Sequence, residues 1–429
     1  MQKLTKFLIL WMIFEVGFVS VFGQKEKLNR MVAGIPVNYE EDSVGRYTLP
    51  DLLMLQNGKK VTSATTWLEK RRPEVLELLE TSQFGKMPPR PSEMSFHVFD
   101  KGSLVFDGKA IRKQVAVYFT KDTSVFKMNV LIYLPTQLYK PVPLLLTVNF
   151  GANASVVNDS GVVLSEVWSR DKKKVTTSRM SPFGKLPVEK FISQGIGFAT
   201  VYYGDIEPDF KDGINYGIRG HYLKPGTKPA PDEWGAIAAW AWGLSRAMDY
   251  FETDKQIDAK RIALQGTSRL GKTVLWTGAR DTRFKMIIAS CSGEGGAALS
   301  KRNYGESIKH LTDSTRYLYQ FATNYSKFAN KVDRMPFDSH MLLALMAPRP
   351  LLLQTGDVDF WSDPNGEFLA AQKATSVYNL FEENGPGNVY PEPGDKNLLN
   401  PLGYYLHKGG HGVIPEDWDV FIEFIHKYL

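Results

Sequence analysis

Arg261-Ile-Ala-Leu-Gln265-Gly266-Thr-Ser268-Arg269-Leu-Gly271-Lys272 is the stretch on which the reading of this chain turns. An apolar strand runs into a serine set between glycines, and Thr273-Val-Leu-Trp-Thr-Gly-Ala279 continues as a helix. A strand, a sharp turn with small flanking residues and a helix together hold a hydroxyl out over the ends of parallel strands. The second glycine comes one residue later than in the common G-x-S-x-G pattern. A short motif of this kind also fits a plain strand–turn–helix, so the rest of the chain has to supply chemistry to go with the serine.

Working outward, the chain changes rhythm near residue 143. Before it, Trp67–Leu79 has helical apolar spacing and stops near Gly85 and Pro88. Ser95–Phe99, residues 113–119 and residues 126–134 alternate like strands, the last two forming an antiparallel hairpin around Thr120–Ser124. After it, strands and helices alternate: Pro143–Phe150, Gly197–Tyr203, a helix over Asp232–Phe251, then the 261–265, 286–290 and 349–354 strands. A final helix spans Asp417–Lys427. Strands apolar on both faces belong to a parallel sheet covered by helices. The predicted architecture is an α/β-hydrolase fold, a three-layer αβα sandwich with a mostly parallel central sheet and an antiparallel N-terminal edge. Residues 24–429 read as one catalytic domain, with 24–60 polar and irregular.

Composition narrows the setting. The chain has 429 residues, 43% hydrophobic, a net charge of +6 and one cysteine, Cys291. One cysteine excludes an intrachain disulfide. Lys3 and Lys6 ahead of Phe7–Phe14, with small residues from Ser20 to Gly23, have the shape of a secretory signal over residues 1–23, despite Glu15 within it. Export without disulfides points to a bacterial periplasm or cell exterior. Basic residues are dispersed apart from Lys172-Lys-Lys174, which argues against nucleic-acid binding. No membrane association is expected after signal removal, and a monomer is expected.

In an open α/β sheet the ligand crevice lies beyond the carboxyl ends of the strands. The polar residues at those exits are Ser268, the run Cys291-Ser-Gly-Glu294, the run Gly356-Asp357-Val-Asp359-Phe-Trp361, and Lys408-Gly-Gly-His411-Gly412. A serine hydroxyl is a weak nucleophile until an imidazole takes its proton and a carboxylate fixes that imidazole's tautomer. Ser268, Asp359 and His411 occur in the order nucleophile, acid, base. Of seven histidines only His411 lies in a glycine-rich loop at a suitable place. Asp357 competes with Asp359 for the acid, and Glu294 is a third choice. Arg269 beside the serine suits an oxyanion donor. Lys272, one helical turn on, points to the same crevice and suits an acidic or hydroxylated substrate. Asp338-Ser-His340 lacks a second cluster with metal-ligand spacing, and Gly293-x-Gly295-Gly296 is too short for a dinucleotide fingerprint. Neither metal nor cofactor is expected.

Gly266-Thr-Ser-Arg-Leu-Gly-Lys272 resembles the G-C-S-R-x-G-K signature of the glucuronoyl esterases, carbohydrate esterase family 15, in their bacterial form. The resemblance extends through Trp234–Gly243, Ser292–Leu299, Pro336–Pro350, Trp361–Phe368 and Gly410-His-Gly412. It implies an exported serine esterase that cleaves esters of (4-O-methyl-)glucuronic acid, as in lignin–glucuronoxylan linkages. By the same resemblance Ser268 is the nucleophile, His411 the base, Arg269 the oxyanion stabiliser, and Lys272 and Trp361 contact the sugar. An acetyl or other acyl esterase and a catalytically silent carbohydrate-binding relative are the alternatives. Three departures stand out. Cys291 occupies the position where many members carry a glutamate acid, whereas Asp359 fits the acid position of some bacterial members. Thr267 replaces a cysteine. The usual glutamine and glutamate that grip sugar hydroxyls have no evident match near His310, Arg316, Tyr317 and Gln320–Tyr325.

Overall fold

The computed structural model describes residues 30–137, 140–224 and 226–429; the signal-like segment 1–23 lies outside them. Nine strands form the central sheet: β1 (Ser95–Val105), β2 (Ala110–Tyr118), β3 (Lys127–Pro135), β4 (Val142–Asn149), β5 (Gly197–Tyr202), β6 (Ile257–Thr267), β7 (Met286–Ser290), β8 (Leu351–Gly356) and β9 (Leu402–His407). Their spatial order is β9-β8-β7-β6-β4-β5-β3-β2-β1. The six strands from β9 to β5 are mutually parallel. β3 pairs antiparallel with β5, and β2 and β1 continue that antiparallel edge. The hairpin read from the sequence is present, with Val115 opposite Val130 and Val117 opposite Met128.

Period-2 alternation explains why the central strands read as continuous apolar runs. Leu144, Leu146, Ile262 and Leu264 pack into one buried cluster, and Leu145 and Ala263 into another on the opposite face. Helices cover both faces, so both sets of side chains leave water. On the first face lie α1 (Arg72–Leu79), α3 (Ala236–Phe251) and α4 (Arg269–Arg280); on the second lie α2 (Val188–Ile192) and α7 (Asp417–Tyr428). α5 (Ser339–Ala344) and α6 (Pro364–Tyr378) flank β8. Every residue of α3 is buried. It begins at Ala236 rather than Asp232. Among the described residues no helix is long and apolar enough to cross a membrane.

Two strands exceed the sequence reading. β1 continues to Val105 through register shifts around Asp100, where the alternation is interrupted. β9, Leu402-Gly-Tyr-Tyr-Leu-His407, is absent from that reading because it is short, has a glycine as its second residue and carries no β-branched residue, yet all six residues are buried against β8.

Connectivity fixes where a ligand can enter. From β4 the chain lays β5 on one side, then crosses back to lay β6 on the other. A reversal of this kind opens a crevice at the carboxyl ends of the two central strands, and β6 ends one residue before Ser268.

α4 anchors that end of the sheet. Its Trp276 is fully buried and stacks on Phe84 at 4.5 Å between ring centroids. Trp276→Ala should therefore destabilise the protein by about 3–5 kcal/mol, measured by urea unfolding. A loss under about 1 kcal/mol would mean that this packing does not carry the helix.

Candidate active site

Ser268 has φ +62° and ψ −128°, a conformation that an L-residue adopts only when its surroundings impose it. Its N–H donates to Ser290 O at 2.8 Å, pinning the turn to β7. A Cβ on Gly266 would lie 2.4 Å from Leu270 O, so only glycine lets α4 fold back this closely on β6. Arg269 opens α4, and the N–H of a first helical residue has no acceptor within its own helix. The serine thus stands at the positive end of a helix with a free backbone donor beside it.

His411 is held by the loop around it. Gly409 N–H donates to Asp357 Oδ1 at 2.7 Å, and Val358 N–H donates to Gly409 O at 3.1 Å. His407 Nε2 donates to Gly410 O at 3.0 Å. Gly412 exchanges contacts with the Cys291 thiol, its N–H and its carbonyl each 3.3 Å from Sγ. A Cβ on Gly356 would meet Gly410 O at 2.2 Å, so this close packing requires glycine there. On the loop so held, His411 Nδ1 lies 2.7 Å from Asp359 Oδ2, with Ser362 Oγ 3.3 Å away. The Asp359 side chain is 4% exposed and that of His411 43%. Burial pushes the Asp359 carboxyl up, but the hydrogen bond and charge of His411, with Ser362 and Cys291, outweigh it and leave the carboxyl below its ordinary range.

The two competing acids are placed elsewhere. Asp357 spends its carboxylate on Gly409. Glu294 is buried against Ser300 Oγ at 2.5 Å and Tyr325 OH at 3.2 Å. Burial, with Asp338 and Glu306 nearby, pushes Glu294 up to about 8, which suits a neutral acid rather than an anion facing an imidazole.

Ser268, Arg269, Lys272, Asp359, Trp361 and His411 all line one cavity of about 250 Å³, with Cys291, Glu306, Arg316, Tyr317 and Gln320. Arg269 Nη1 binds Asp209 Oδ2 at 2.5 Å. Asp209 also accepts from Tyr203 OH at 3.0 Å, Tyr319 OH at 2.7 Å and Gln320 Nε2 at 2.8 Å. Burial works against the Arg269 charge, yet Asp209 more than restores it, so the guanidinium is held firmly cationic. Lys272 is pushed down by burial and lifted back in part by Glu306, while burial pushes Glu306 up against the pull of Lys272 and Arg316. Trp361 forms a wall, with its carbonyl accepting from Glu306 N–H at 2.9 Å and the Arg316 guanidinium 5.8 Å from its ring.

Glu306 and Asp209 are functional candidates that the sequence reading missed. Glu306 follows Gly305, whose close approach to the Trp361 carbonyl marks a constrained turn, and that glycine was the available signal. Asp209 lies in Gly204-Asp-Ile-Glu-Pro-Asp209, past the exit of β5, and nothing local sets it apart from Asp205. Of the residues weighed as sugar contacts, Arg316, Tyr317 and Gln320 reach the cavity, while His310 packs edge-on to the outside of Trp361 at 5.1 Å.

Ligand atoms of Cys291, Asp359 and His411 fall within 4.8 Å of one another, the separation a metal ion would need. Each is already engaged, His411 with Asp359 and the thiol with Gly412, and burial with the charge of Asp359 pushes the thiol well above its ordinary range. A thiol that resists ionisation is a poor metal ligand. Asp338 caps α5 and accepts from Ser300 and Lys301 N–H, and His340 bonds Pro50 O at 2.9 Å, both structural uses. Gly293 and Gly295 adopt positive φ, and Gly293 N–H donates to Glu367 at 2.7 Å, so that glycine run shapes the turn after β7.

A family model for fungal glucuronyl esterases matches residues 229–382. The chain is 44% identical over 402 residues to the carbohydrate esterase MZ0003 from an unknown prokaryotic organism, covering 91% of this chain and 92% of the relative. A solved glucuronoyl esterase from Solibacter usitatus is 44% identical with a TM-score of 0.86, over 90% of this chain and 99% of that one. A promiscuous CE15 esterase from a marine bacterial metagenome is 44% identical with a TM-score of 0.84, over 92% and 100%.

His407 beneath the loop sets Nε2 against Gly410 O at 3.0 Å, and Nδ1 against both Asp417 Oδ2 at 2.9 Å and Gln354 Nε2 at 2.8 Å. Burial pulls its pKa down, but Asp417, Gly410 O and Asp357 outweigh it and leave it raised. Stability from a raised histidine is full below its unfolded pKa of about 6.5 and is lost as pH rises through the folded value. Unfolding free energy should therefore fall as pH rises above about 6.5 more steeply in the native protein than in His407→Gln. Parallel urea titrations with equal pH slopes would show that His407 is not charged in the fold.

Proposed function

This chain belongs to the glucuronoyl esterases of carbohydrate esterase family 15, and from that premise we propose how its residues divide the reaction. It is a carboxylic-ester hydrolase, and its substrates are esters of (4-O-methyl-)glucuronic acid. The observation that carries the assignment of roles is the 2.7 Å contact of His411 with Asp359 in the cavity that also contains Ser268.

Ser268 Oγ attacks the ester carbonyl while His411 takes its proton, and Asp359 holds the imidazole in the needed tautomer and stabilises its cationic form. Negative charge develops on the carbonyl oxygen. The Arg269 guanidinium and backbone N–H stabilise it, preorganised because Asp209 fixes the guanidinium before substrate arrives. His411 returns the proton to the departing alcohol, leaving a uronoyl ester on Ser268, and water repeats the sequence to release the acid. Lys272 and Arg316 provide positive charge toward the oxygens of the uronate ring, Glu306 accepts from its hydroxyls, and Trp361 forms an apolar wall for one ring face. Glu306, with Gln320 or Arg316, takes the place of the usual glutamine and glutamate toward the sugar hydroxyls, a reading supported by their position in the same cavity.

The signal-like residues 1–23 support export, with residues 24–429 as a single monomeric catalytic domain acting on glucuronoxylan in plant cell walls. A broader acyl esterase is the second reading, favoured by the promiscuity attributed to one similar enzyme. The two separate on substrate: benzyl glucuronate should be hydrolysed with kcat/KM well above that for p-nitrophenyl acetate, and Lys272→Ala should penalise only the uronate. The reverse order of substrates would sink the uronate assignment.

Asp359→Asn should lower kcat by about 10³–10⁴, with Ser268 labelling by a fluorophosphonate slowed in parallel. Asp357→Asn keeps an acceptor for Gly409 N–H, and Glu294→Gln removes no anion from His411, so each should cost under about tenfold by the same comparison. A Cys291→Glu replacement places a carboxylate near His411 and should recover part of the activity lost in Asp359→Asn. Near-native turnover by Asp359→Asn alone would show that the triad is drawn wrongly.

A further inference from the structure

Resting on the reading of this chain as an esterase of a polysaccharide, we infer a second carbohydrate site, far from Ser268, that binds the uncharged sugar backbone carrying the uronates. Between the far half of α6 and the loop leading to β9 lies a cavity of about 560 Å³, within the usual size range of ligand pockets. Its polar lining is Gln372, Thr375, Asn379, Asn384, Asn388 and Asn400, which supply five amides, one hydroxyl and no ionisable group. The cavity around Ser268 is built the opposite way, with Arg269, Lys272, Glu306, Arg316, Asp359 and His411 in its walls.

The amides are of two kinds. Gln372 Nε2 donates to Gly387 O at 2.8 Å, and Asn400 Nδ2 donates to Gly385 O at 2.9 Å. An amide that spends its N–H in this way has a fixed orientation and keeps a carbonyl oxygen to accept with. Neither oxygen receives a donor among the described contacts. Asn379, Asn384 and Asn388 are exposed, and their side chains make no hydrogen bond among the described contacts, so each offers both donor and acceptor. The loop beneath them is anchored. A Cβ on Gly385 would collide with Thr375 Oγ1, Glu383 N–H bonds Tyr378 O at 3.1 Å, and Leu402 N–H bonds Asn384 O at 3.2 Å. Walls ordered beforehand cost a ligand less to bind.

The lining selects the class of ligand. A sugar hydroxyl donates and accepts at once, as a side-chain amide does, and it brings no charge whose desolvation must be matched. A uronate or phosphate finds no cation in these walls, and a metal ion finds no carboxylate. Pro386 and Leu398 add apolar surface for the C–H face of a sugar ring. Position then separates this site from the chemistry. α6 begins two residues after Ser362, which lines the catalytic cavity, whereas the second cavity starts at Gln372. At 1.5 Å per residue, Gln372 and Asn379 lie about 15–25 Å along the helix from Ser362. One sugar unit cannot fill both places. The second site holds a different stretch of the chain and raises the local concentration of esters near Ser268.

Xylohexaose, which is neutral and carries no ester, is the probe. Calorimetric or NMR titration of the unaltered protein should show binding that a saturating concentration of glucuronic acid does not displace. Asn379→Ala/Asn388→Ala should weaken that binding about tenfold, as loss of two hydrogen bonds allows, and Asn384→Ala should weaken it by a smaller factor. Melting temperature and kcat/KM for benzyl glucuronate should stay unchanged in both variants. Binding that both variants leave intact, or that glucuronic acid abolishes, overturns the site, as does absence of binding by an enzyme that hydrolyses benzyl glucuronate. Equal binding of an oligogalacturonate through the same residues overturns its neutral character. Failure to hydrolyse benzyl glucuronate, with xylohexaose binding present and sensitive to the variants, would defeat the esterase reading and leave the site standing.

Discussion

A hydrogen bond between an imidazole and a carboxylate does catalytic work only if both backbones are stationary, and in this protein the immobility of one six-residue loop underlies the rest of the site. Loop 408–413 is held by donors and acceptors from three strand ends: Cys291 after β7, Asp357 and Val358 after β8, and His407 closing β9, with Gly356 leaving room for the approach. A loop normally gives up such order to solvent. Here nearly every peptide flanking His411 has a partner, so the imidazole is oriented before substrate arrives, which is where much of an enzyme's electrostatic advantage lies.

The charges of the cavity follow the same logic. Arg269 and Lys272 are taken out of water, which is costly unless each is matched. Asp209 matches the first at 2.5 Å and itself receives two tyrosine hydroxyls and an amide, so its own lone pairs are occupied. Glu306 matches the second only through space, since Lys272 and Glu306 influence one another without a direct hydrogen bond among the described contacts. The difference suits their roles. A guanidinium anchored through one nitrogen is a fixed electrostatic element whose other N–H groups can still face an oxyanion, while a loosely matched lysine and glutamate keep capacity for a ligand that brings its own acceptors and donors.

What could be read from the sequence tracks how local the physics is. The serine turn was legible because strand, glycines and helix are contiguous, and His411 because its glycines announce a constrained loop. The parallel sheet was legible because strands covered on both faces lose polar alternation. Asp359 could be ranked above Asp357 only weakly, since what separates them is the partner each meets across space: His411 for one, the Gly409 amide for the other. Glu306 and Asp209 were illegible for the same reason. Their importance comes from Lys272 and Arg269, which are respectively 34 and 60 residues away by number. β9 escaped because burial on all sides, not propensity, makes that segment a strand.

Cys291 shows why the acid sits where it does. Its thiol lies within 4.8 Å of both Asp359 and His411, at the strand exit where a glutamate would also reach the imidazole. Carboxylates at both positions would face each other in a desolvated site, and one of them would be forced to hold its proton. A shared proton would weaken the fixed negative charge that orients the histidine. The two exits, after β7 and after β8, are therefore alternatives. With Asp359 at one, the other favours a small neutral group that can still hold the loop. A thiol driven upward by burial and by Asp359, bonded to both the N–H and the carbonyl of Gly412, meets that requirement, so the cysteine goes with the aspartate and is not a defect in the triad.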